Sequence, residues 1–430
     1  MKSIVFYILS ALFFVTSCTK DEPLFDKLAD ERINQTIEEY QSALTSSPTG
    51  WKATIIPGSG GIFHFHFRFN NENRVVMFAD FDTTTAKYQK ESSYRLKSEQ
   101  QPTLIFDTYS YLHLLSDPDA RVNGGDFGIG LASDFEFSLD SLLTDAIVLT
   151  GKMNKTKLRL ERASQQELDD WQNGHWANTL SFLNVTRIKN YFRRLTLNGT
   201  EYEIFIDPSS RTIGFQWLSG GVLRQFSTSY YFDVNEVVLE TPLQNGSQTI
   251  AGFTDCSWNE VSQTLQLKSG GITGVIAGAI KPLKVDLNAP QRWWQTAVND
   301  DAYWQSFAGF HTNGVDDAYG INTLDNFYSL IYWPEYDAGN DLLAPVFMNA
   351  EGTGLELHYG AAPENPEFTP DGRIIFDLLG TYGDYPVSGP AAQSLTQLLI
   401  PEGYYLIQTS PTTYDMVSAD DAKTWITWYY

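Results

Sequence analysis

The sequence is poor in cysteine, in histidine and in positive charge, and each shortage narrows what the protein can do. Only two cysteines, Cys18 and Cys256, and six histidines occur in 430 residues. If Cys18 is lipidated, as its context indicates, Cys256 has no partner for an intramolecular disulfide and is expected to be a small core residue. Lys and Arg number 29 against 52 acids, a net charge of −23. We therefore expect no nucleic-acid binding, which needs a basic surface.

The motifs of the common enzyme classes are also missing. The chain has no His-Glu-x-x-His, no Gly-x-Ser-x-Gly, no Walker loop and no Gly-x-Gly-x-x-Gly after a strand. Glycosidases need two carboxyl groups about 5 to 9.5 Å apart, and a sequence with 52 acids neither locates nor excludes such a pair. The sequence thus assigns no catalytic residue, and we expect no cofactor.

The N-terminus is typical of a bacterial lipoprotein. Lys2 precedes a mostly apolar stretch, Ile4 to Val15, which is shorter than the roughly 20 residues that span a bilayer. Val15-Thr16-Ser17-Cys18 resembles a lipobox, which implies acylation of the Cys18 thiol and cleavage before it. We expect a signal peptide at 1–17 and an anchor of two or more acyl chains, which holds a protein on a membrane where one chain barely does.

The residues after this cysteine indicate a location. Lys20, Asp21 and Glu22 resemble the export signal of Bacteroidetes surface lipoproteins and lie in a tether at 18–23. The predicted location is the outer membrane, with the protein facing the cell exterior. The alternative is a solvated tether on a protein that faces the periplasm.

The spacing of apolar residues predicts a β-rich α+β fold. Residues 24–45 have the three- and four-residue steps of a helix. In 63–69, phenylalanines alternate with His64, His66 and Arg68, which predicts a strand with one apolar and one polar face; 74–81 is its expected hairpin partner. Further short strands, including a long one at 103–115, predict an antiparallel meander that is barrel- or sandwich-like.

The same patterns divide the chain after the tether into four parts. A helix and a β lobe occupy 24–162, and a helical connector at 163–196 begins with a capping box, Ser164 and Glu167, and continues to Leu195. A second β lobe at 197–290 has a Thr/Ser-Tyr pair in a long strand, as the first lobe has, which suggests related units. An aromatic-rich C-terminal region covers 291–430.

Several stretches together resemble one protein family. They are SPTGWKATIIPGSGGIFHFHFRFNNENRVVMFADF, FDTYSYLHLLSDP, SDFEF, IVLTGK and NGVDDAYGINTLDNFYSLIYWP. This set resembles the DUF4302 family of Bacteroidetes lipoproteins over most of the mature chain. The resemblance implies a surface location and an accessory role beside a SusC/SusD-like nutrient importer. It supplies no catalytic residues.

The histidines and paired acids are weak metal candidates. His64 and His66 share one strand face, about 6.8 Å apart at a rise of roughly 3.4 Å per residue, but a zinc site needs three or four ligands and no supporting ligand lies nearby in sequence. A polar sheet face or a groove is the alternative. Asp-Asp-Ala-Tyr occurs at 300–303 and again at 316–319 without a calcium-binding loop, so we expect solvated turns there.

The aromatic residues are the most suggestive feature. Residues 291–340 contain 12 of them, including Trp293, Trp294, Trp304 and Trp333. Aromatic rings pack against sugars and peptides and add a polar tip, so an exposed group of them would bind glycan or peptide. The alternative is that these rings fill the core of the third region.

Three functional hypotheses follow. The first is capture of glycan or peptide for an outer-membrane importer, which predicts an exposed aromatic patch. The second is a carboxylate-dependent glycan hydrolase, which predicts two acids with shifted pKa values facing each other in a cleft. The third is a structural or adhesion lipoprotein without a concave site. The sequence favours the first.

Overall fold

The protein is built from three β units in chain order. The structure, a computed structural model, describes residues 29–99 and 101–430. It contains two closed antiparallel barrels of eight strands each, followed by a twelve-stranded sheet. The predicted β-rich fold of two lobes joined by helices is confirmed, and both lobes are barrels. Within the described residues, no helix is long and apolar enough to cross a membrane.

The first barrel follows helix α1, Ala29–Thr45, which covers the part of the predicted helix that lies in the described residues. Each strand pairs with the next, and β1 closes the ring against β8 in a register that sets Ala53 opposite Leu160. The strands are β1 Trp51–Ile56, β2 Phe63–Phe69, β3 Arg74–Ala79, β4 Lys90–Ser98, β5 Pro102–Phe106, β6 Glu136–Leu142, β7 Ala146–Gly151 and β8 Lys157–Arg162.

The hairpin predicted at 63–81 is present as β2 and β3. Phe65 lies opposite Ala79, and Phe69 opposite Val75. The four phenylalanines of β2 point into the barrel and are buried there. The opposite face of β2 was predicted to be polar, but two of its three side chains are buried. The helical connector covers His64 and His66, while Arg68 stays exposed.

The prediction of one long strand at 103–115 is wrong for the second half of that range. Strand β5 ends at Phe106, and Tyr111–Ser116 form a 3₁₀ helix. The Ser110 backbone N–H donates to Nδ1 of His113 at 3.1 Å, which caps this helix, and Leu112 and Leu115 are buried in the barrel core. Two short helices, α2 Thr83–Lys87 and α3 Ala120–Asn123, complete this unit.

The connector begins as its capping box predicts. The Glu167 N–H donates to Oγ of Ser164 at 3.2 Å, and the Ser164 N–H donates to the Glu167 carboxylate at 2.8 Å. Gly174 then adopts a φ of 71°, a left-handed conformation that suits glycine and separates two helices. The helices are α4 Gln165–Gln172, α5 His175–Thr179 and a 3₁₀ helix at Leu180–Arg187.

The prediction that the connector stays helical to Leu195 is wrong. Phe192–Leu197 form strand β9, which pairs with both β10 and β16 and so closes the second barrel. This pairing with distant strands decides the conformation. The other strands are β10 Thr200–Asp207, β11 Thr212–Ser219, β12 Val222–Phe232, β13 Val237–Asn245, β14 Gln248–Asn259, β15 Thr264–Ser269 and β16 Ile272–Ala279. Cys256 lies on β14, half-buried against the barrel core.

A buried ion pair joins the two barrels. Both carboxylate oxygens of Asp80 accept from the Arg211 guanidinium at 2.8 Å, and Arg211 also donates to the backbone carbonyl of Ile62 at 2.6 Å. The guanidinium lies over the rings of Phe63 and Phe232, one from each barrel, at 4.0 and 5.0 Å from their centroids. The barrels therefore share a fully paired charge in their interface.

The third unit is a sheet with two helices packed on it, α6 Ala289–Asp300 and α7 Pro390–Leu398, and a 3₁₀ helix at Ile321–Thr323. The strands are β17 Trp304–Ser306, β18 His311–Thr312, β19 Phe327–Asp337, β20 Asn340–Met348, β21 Leu355–Leu357, β22 Tyr359–Pro363, β23 Glu367–Phe368, β24 Arg373–Ile375, β25 Leu378–Gly383, β26 Tyr404–Ser410, β27 Thr413–Ser418 and β28 Thr424–Tyr429. The order of hydrogen-bonded neighbours along the main path of the sheet is β23-β24-β26-β27-β28-β17-β19-β20-β22-β25.

Candidate functional site

The predicted lipidation and export residues lie outside the described part of the chain. These are Cys18, Lys20, Asp21 and Glu22, all of which precede residue 29. Their assignment depends on the sequence pattern alone, and they remain predictions.

Three of the four tryptophans predicted as ligand-binding candidates lie in the core of the third unit. Trp293 is 0% exposed, Trp294 8% and Trp304 1%. Trp293 and Trp304 stack with ring centroids 5.7 Å apart, and Nε1 of Trp304 donates to the Trp293 carbonyl. These positions favour core packing for the three rings. Trp333 is half-buried on the other face of the sheet.

The two strand histidines lie under the connector. Burial lowers the pKa of both rings, so both are neutral at pH 7. His66 Nε2 donates to the Thr49 carbonyl at 2.7 Å, and His64 Nδ1 lies 3.3 Å from the Thr54 hydroxyl. Across the residues that the structure describes, no group of three or more metal-ligating side chains occurs. The geometry favours structural roles for both histidines.

Four aromatic side chains form a continuous surface row, which we call the aromatic strip: Tyr303, Trp333, Tyr336 and Tyr382. The centroids of successive rings are 5.3, 5.4 and 5.5 Å apart. Tyr303 is 38% exposed and Tyr336 42%, while Trp333 and Tyr382 are half-buried. The Tyr303–Trp333 pair is tilted at 48°, and the other two pairs meet edge to face at 67° and 76°, a geometry that aromatic rings favour.

The strip crosses the strands of the sheet at one end. Tyr303 directly precedes β17, Trp333 and Tyr336 lie on β19, and Tyr382 lies on β25. Strands β20 and β22 separate β19 from β25 in the sheet. Beneath the strip lies a small apolar cluster of Ile331, Leu342, Ala344 and Val346, against which Trp333 and Tyr382 pack. The strip thus covers a second apolar layer on the face opposite the main core.

An irregularity in the β19–β20 hairpin presents two of the rings. The strand register shifts between Trp333 and Asp337, and Glu335 adopts a φ of 47°, which is unusual for a residue with a side chain. The Glu335 backbone N–H donates to the carboxylate of Asp341 at 2.8 Å. This bond holds the bulge between Trp333 and Tyr336.

Asp341 is a buried carboxylate that links the strip to the core. It accepts hydrogen bonds from Nε1 of Trp294 at 2.8 Å, from the Tyr332 hydroxyl and from the Glu335 N–H. Burial raises the pKa of Asp341 to about 6, although these donors oppose the shift. Its charge therefore changes near the lower end of the physiological pH range.

Tyr382 is fixed by a neighbour of Asp341. The side-chain amide of Asn340 donates to the Tyr382 hydroxyl at 2.8 Å, and the Asn340 residue is buried. Two adjacent residues of β20 thus contact the strip: Asp341 binds the backbone between Trp333 and Tyr336, and Asn340 binds the Tyr382 hydroxyl. The strip is supported by hydrogen bonds as well as by packing, which is the preorganisation expected of a binding surface.

The groups with raised carboxyl pKa values do not form the cleft that a hydrolase predicts. Within the described residues they are Asp341 and Glu203. Burial raises the pKa of Glu203, which accepts from Arg194 at 3.0 Å and from the Leu283 N–H at 2.8 Å. The two acids lie on different sheets, and donors from the protein surround each of them.

A cavity beside the first barrel does not offer comparable recognition. It has a volume of about 780 Å³ and lies between α1 and the first barrel, with a lining that includes Gln41, Asn71, Asn73 and Arg95 but no aromatic side chain. It is an open groove. The aromatic strip, by contrast, brings four aromatic side chains together in one row.

Sequence reasoning identified one ring of the strip and missed three. Tyr336 follows Trp333 by three residues in the same hairpin, and Tyr303 directly precedes a predicted tryptophan, so both had a local signal. Tyr382 is distant in sequence and reaches the strip only through the pairing of β20, β22 and β25. No pattern in the sequence marks it.

A family model identifies the relatives of the chain. The model for a domain of unknown function, DUF4302, matches residues 21–260. Because the match covers more than half of the chain, this protein belongs to the DUF4302 family. The matched part ends within the second barrel, before the third unit that holds the aromatic strip. A comparison with curated proteins found no match.

Two solved structures match this chain weakly. An octameric penicillin-binding protein homologue from Pyrococcus abyssi is 11% identical with a TM-score of 0.15; the alignment covers 34% of this chain and 36% of that chain. The DNA polymerase III subunit beta from Pseudomonas aeruginosa is 9% identical with a TM-score of 0.12, over 93% of this chain and 97% of that one. Scores this low carry no argument about fold or function.

Proposed function

We propose that this protein binds glycan chains at the cell surface through the aromatic strip, as an accessory component of a nutrient-uptake system. The observation that carries the proposal is the row of four contacting rings, of which Tyr303 and Tyr336 are exposed and Trp333 and Tyr382 half-buried. Aromatic faces pack against the C–H faces of sugars, and tyrosine hydroxyls add hydrogen bonds. Peptide is the alternative ligand, since the same rings pack on backbone.

The strip differs from ordinary surface aromatics in its continuity and support. Single exposed apolar side chains are common and need no explanation, whereas a contiguous exposed patch marks a binding surface. Here the rings contact one another, and Asn340 and Asp341 hold the strands that bear them. A preorganised surface loses little conformational entropy on binding.

The proposed location derives from the sequence. The lipobox at Val15-Thr16-Ser17-Cys18 supports a lipid anchor, and Lys20-Asp21-Glu22 supports display on the outer face of the outer membrane. A lipid-anchored glycan binder on that face would deliver polymer to a SusC/SusD-like importer as its membrane partner. Membership of the DUF4302 family is compatible with this role and does not specify it.

A ligand screen followed by substitution tests the binding proposal. The purified protein is heated with polysaccharides, oligosaccharides and peptides, since a ligand at 100 times its Kd raises the free energy of unfolding by about 2.7 kcal/mol. We expect a glycan class to raise the Tm. Trp333→Ala should then weaken binding at least tenfold, about 1.4 kcal/mol.

The matched control is Trp258→Ala. Trp258 is also half-exposed, but it lies on β14 of the second barrel beside Arg187 and Glu260. This variant should bind as tightly as the wild type. The proposal would be overturned if both variants lost affinity equally, or if no glycan shifted the Tm. A Tm shift with peptides alone would show that the ligand is a peptide and not a glycan.

A further inference from the structure

The charge around the aromatic strip defines which chains it accepts. Each ring lies within two residues of an exposed acid: Asp301 for Tyr303, Glu335 for Trp333, Asp337 for Tyr336 and Asp384 for Tyr382. Residues two apart are at most about 7 Å from each other along the backbone. This separation is within the Debye length of physiological salt, about 8 Å, so the charge of each acid is not fully screened from a ligand on the neighbouring ring.

Within the part of the chain that the structure describes, these four carboxylates form no ion pair. In the described ranges, 29–99 and 101–430, other exposed acids form ion pairs, among them Glu91, Asp107 and Asp371, but Asp301, Glu335, Asp337 and Asp384 form none. The sequence explains this difference. Between Arg292 and Arg373 there are 13 acids and no Lys or Arg, and the next cation after Arg373 is Lys423.

We infer that the strip selects linear glycans that are neutral or that bear amino groups, and excludes chains of uronic acids or sulfated sugars. This inference rests on the proposed function and names its ligand class. A ligand carboxylate or sulfate would lie among unpaired negative charges, which disfavours binding. An ammonium group on the ligand would be attracted both by the carboxylates and by the faces of the aromatic rings.

The same arrangement also favours binding of neutral chains. A carboxylate accepts hydrogen bonds from hydroxyl groups, and such bonds to a charged acceptor are stronger than those between neutral groups. The acids beside the rings can therefore hold sugar hydroxyls while the rings contact the sugar faces. Selection against anionic chains and binding of neutral ones come from the same side chains.

Three oligosaccharides with one backbone test the inference. The probes are β-1,4-linked hexasaccharides of glucose, of glucosamine and of glucuronic acid, titrated into the purified protein by calorimetry at pH 5.5. At 50 mM salt the amino form should bind at least tenfold more tightly than the anionic form, with the neutral form between them. At 500 mM salt the difference should shrink, because screening removes the charge effect.

A charge variant locates the effect. Glu335→Gln with Asp337→Asn should reduce the preference for the amino form over the anionic form at least threefold. It should weaken binding of the neutral form less than binding of the amino form, because the neutral chain loses only hydrogen bonds to charged acceptors. The control, Glu351→Gln, removes an exposed acid beyond the far end of β20 and should leave the preference unchanged. An equal effect of the control would overturn the assignment to the strip.

The possible failures are distinct. If the anionic chain binds as tightly as the amino chain and Trp333→Ala abolishes both, the strip binds glycans and the charge inference is wrong. If no β-1,4 chain binds and the wider glycan screen is also negative, the proposed function itself fails, and the inference fails with it.

Discussion

At the scale of single residues, Asp341 is the group whose chemistry most affects the third unit. It is fully buried, and its pKa of about 6 lies above the roughly 4 of an exposed aspartate. The folded protein therefore binds this proton more tightly than the unfolded chain does. Its contribution to the free energy of unfolding is greatest below about pH 4 and decreases as the pH rises through 6.

Replacement of Asp341 by asparagine should remove this pH dependence. A shift of about two pKa units corresponds to about 3 kcal/mol, so the decrease in unfolding free energy between pH 4 and pH 7 should be smaller by that order in Asp341→Asn. Urea denaturation at several pH values measures it. Leu342→Ala, which truncates a buried neighbour without a titrating group, should lower stability and keep the wild-type slope; identical slopes in Asp341→Asn and wild type would contradict the account.

At the scale of elements, one buried ion pair crosses the joint between the two barrels. Asp80 lies at the end of β3 in the first barrel and Arg211 in the turn between β10 and β11 in the second, and both are buried. Arg211→Ala should lower the free energy of unfolding by about 3 to 5 kcal/mol, because it leaves the Asp80 charge buried without a partner.

A double-mutant cycle checks this assignment. Asp80→Ala with Arg211→Ala should cost less than the sum of the two single variants, since no charge is left unpaired. Arg187→Ala, which breaks an exposed pair with Glu260, should cost less than about 1 kcal/mol. Additive effects at Asp80 and Arg211 would show that the pair does not act as a unit.

The same elements show where local sequence signals suffice. The β2–β3 hairpin and the Ser164 cap were predictable because alternation and a capping box are local patterns. Strand β9 was predicted as helix, since its conformation depends on pairing with β10 and β16. The 3₁₀ helix after β5 was missed because the Ser110–His113 cap interrupts an otherwise strand-like run.

The candidate site shows the same division. Trp333 was identified because aromatic density is visible in a sequence, but density does not distinguish the two faces of a sheet. Burial separates Trp293, Trp294 and Trp304 from Trp333, and only the packing of α6 on the sheet determines it. Tyr382 joins the strip through strand order alone.

At the scale of the whole molecule, the negative charge and the predicted lipid anchor together determine how the protein attaches to a membrane. A net charge of −23 limits contact with anionic lipid heads, so membrane attachment should depend on Cys18. Cys18→Ala should move the protein from the membrane fraction to the soluble fraction in cell fractionation.

Replacement of Lys20, Asp21 and Glu22 by alanine should keep the protein on the membrane but protect it from protease added to intact cells. Membrane retention of Cys18→Ala, or unchanged cleavage of the triple variant, would contradict the proposed location.

The most direct test of the central claim is the fluorine spectrum of Trp333 during a glycan titration. The 11 tryptophans are labelled as 5-fluorotryptophan, and the resonances of Trp333 and Trp258 are assigned by their loss in Trp333→Phe and Trp258→Phe. The account predicts that the Trp333 resonance shifts with saturation of the site while that of Trp258 stays in place. A glycan that binds and shifts other resonances while leaving Trp333 unchanged would show that the aromatic strip is not the binding site.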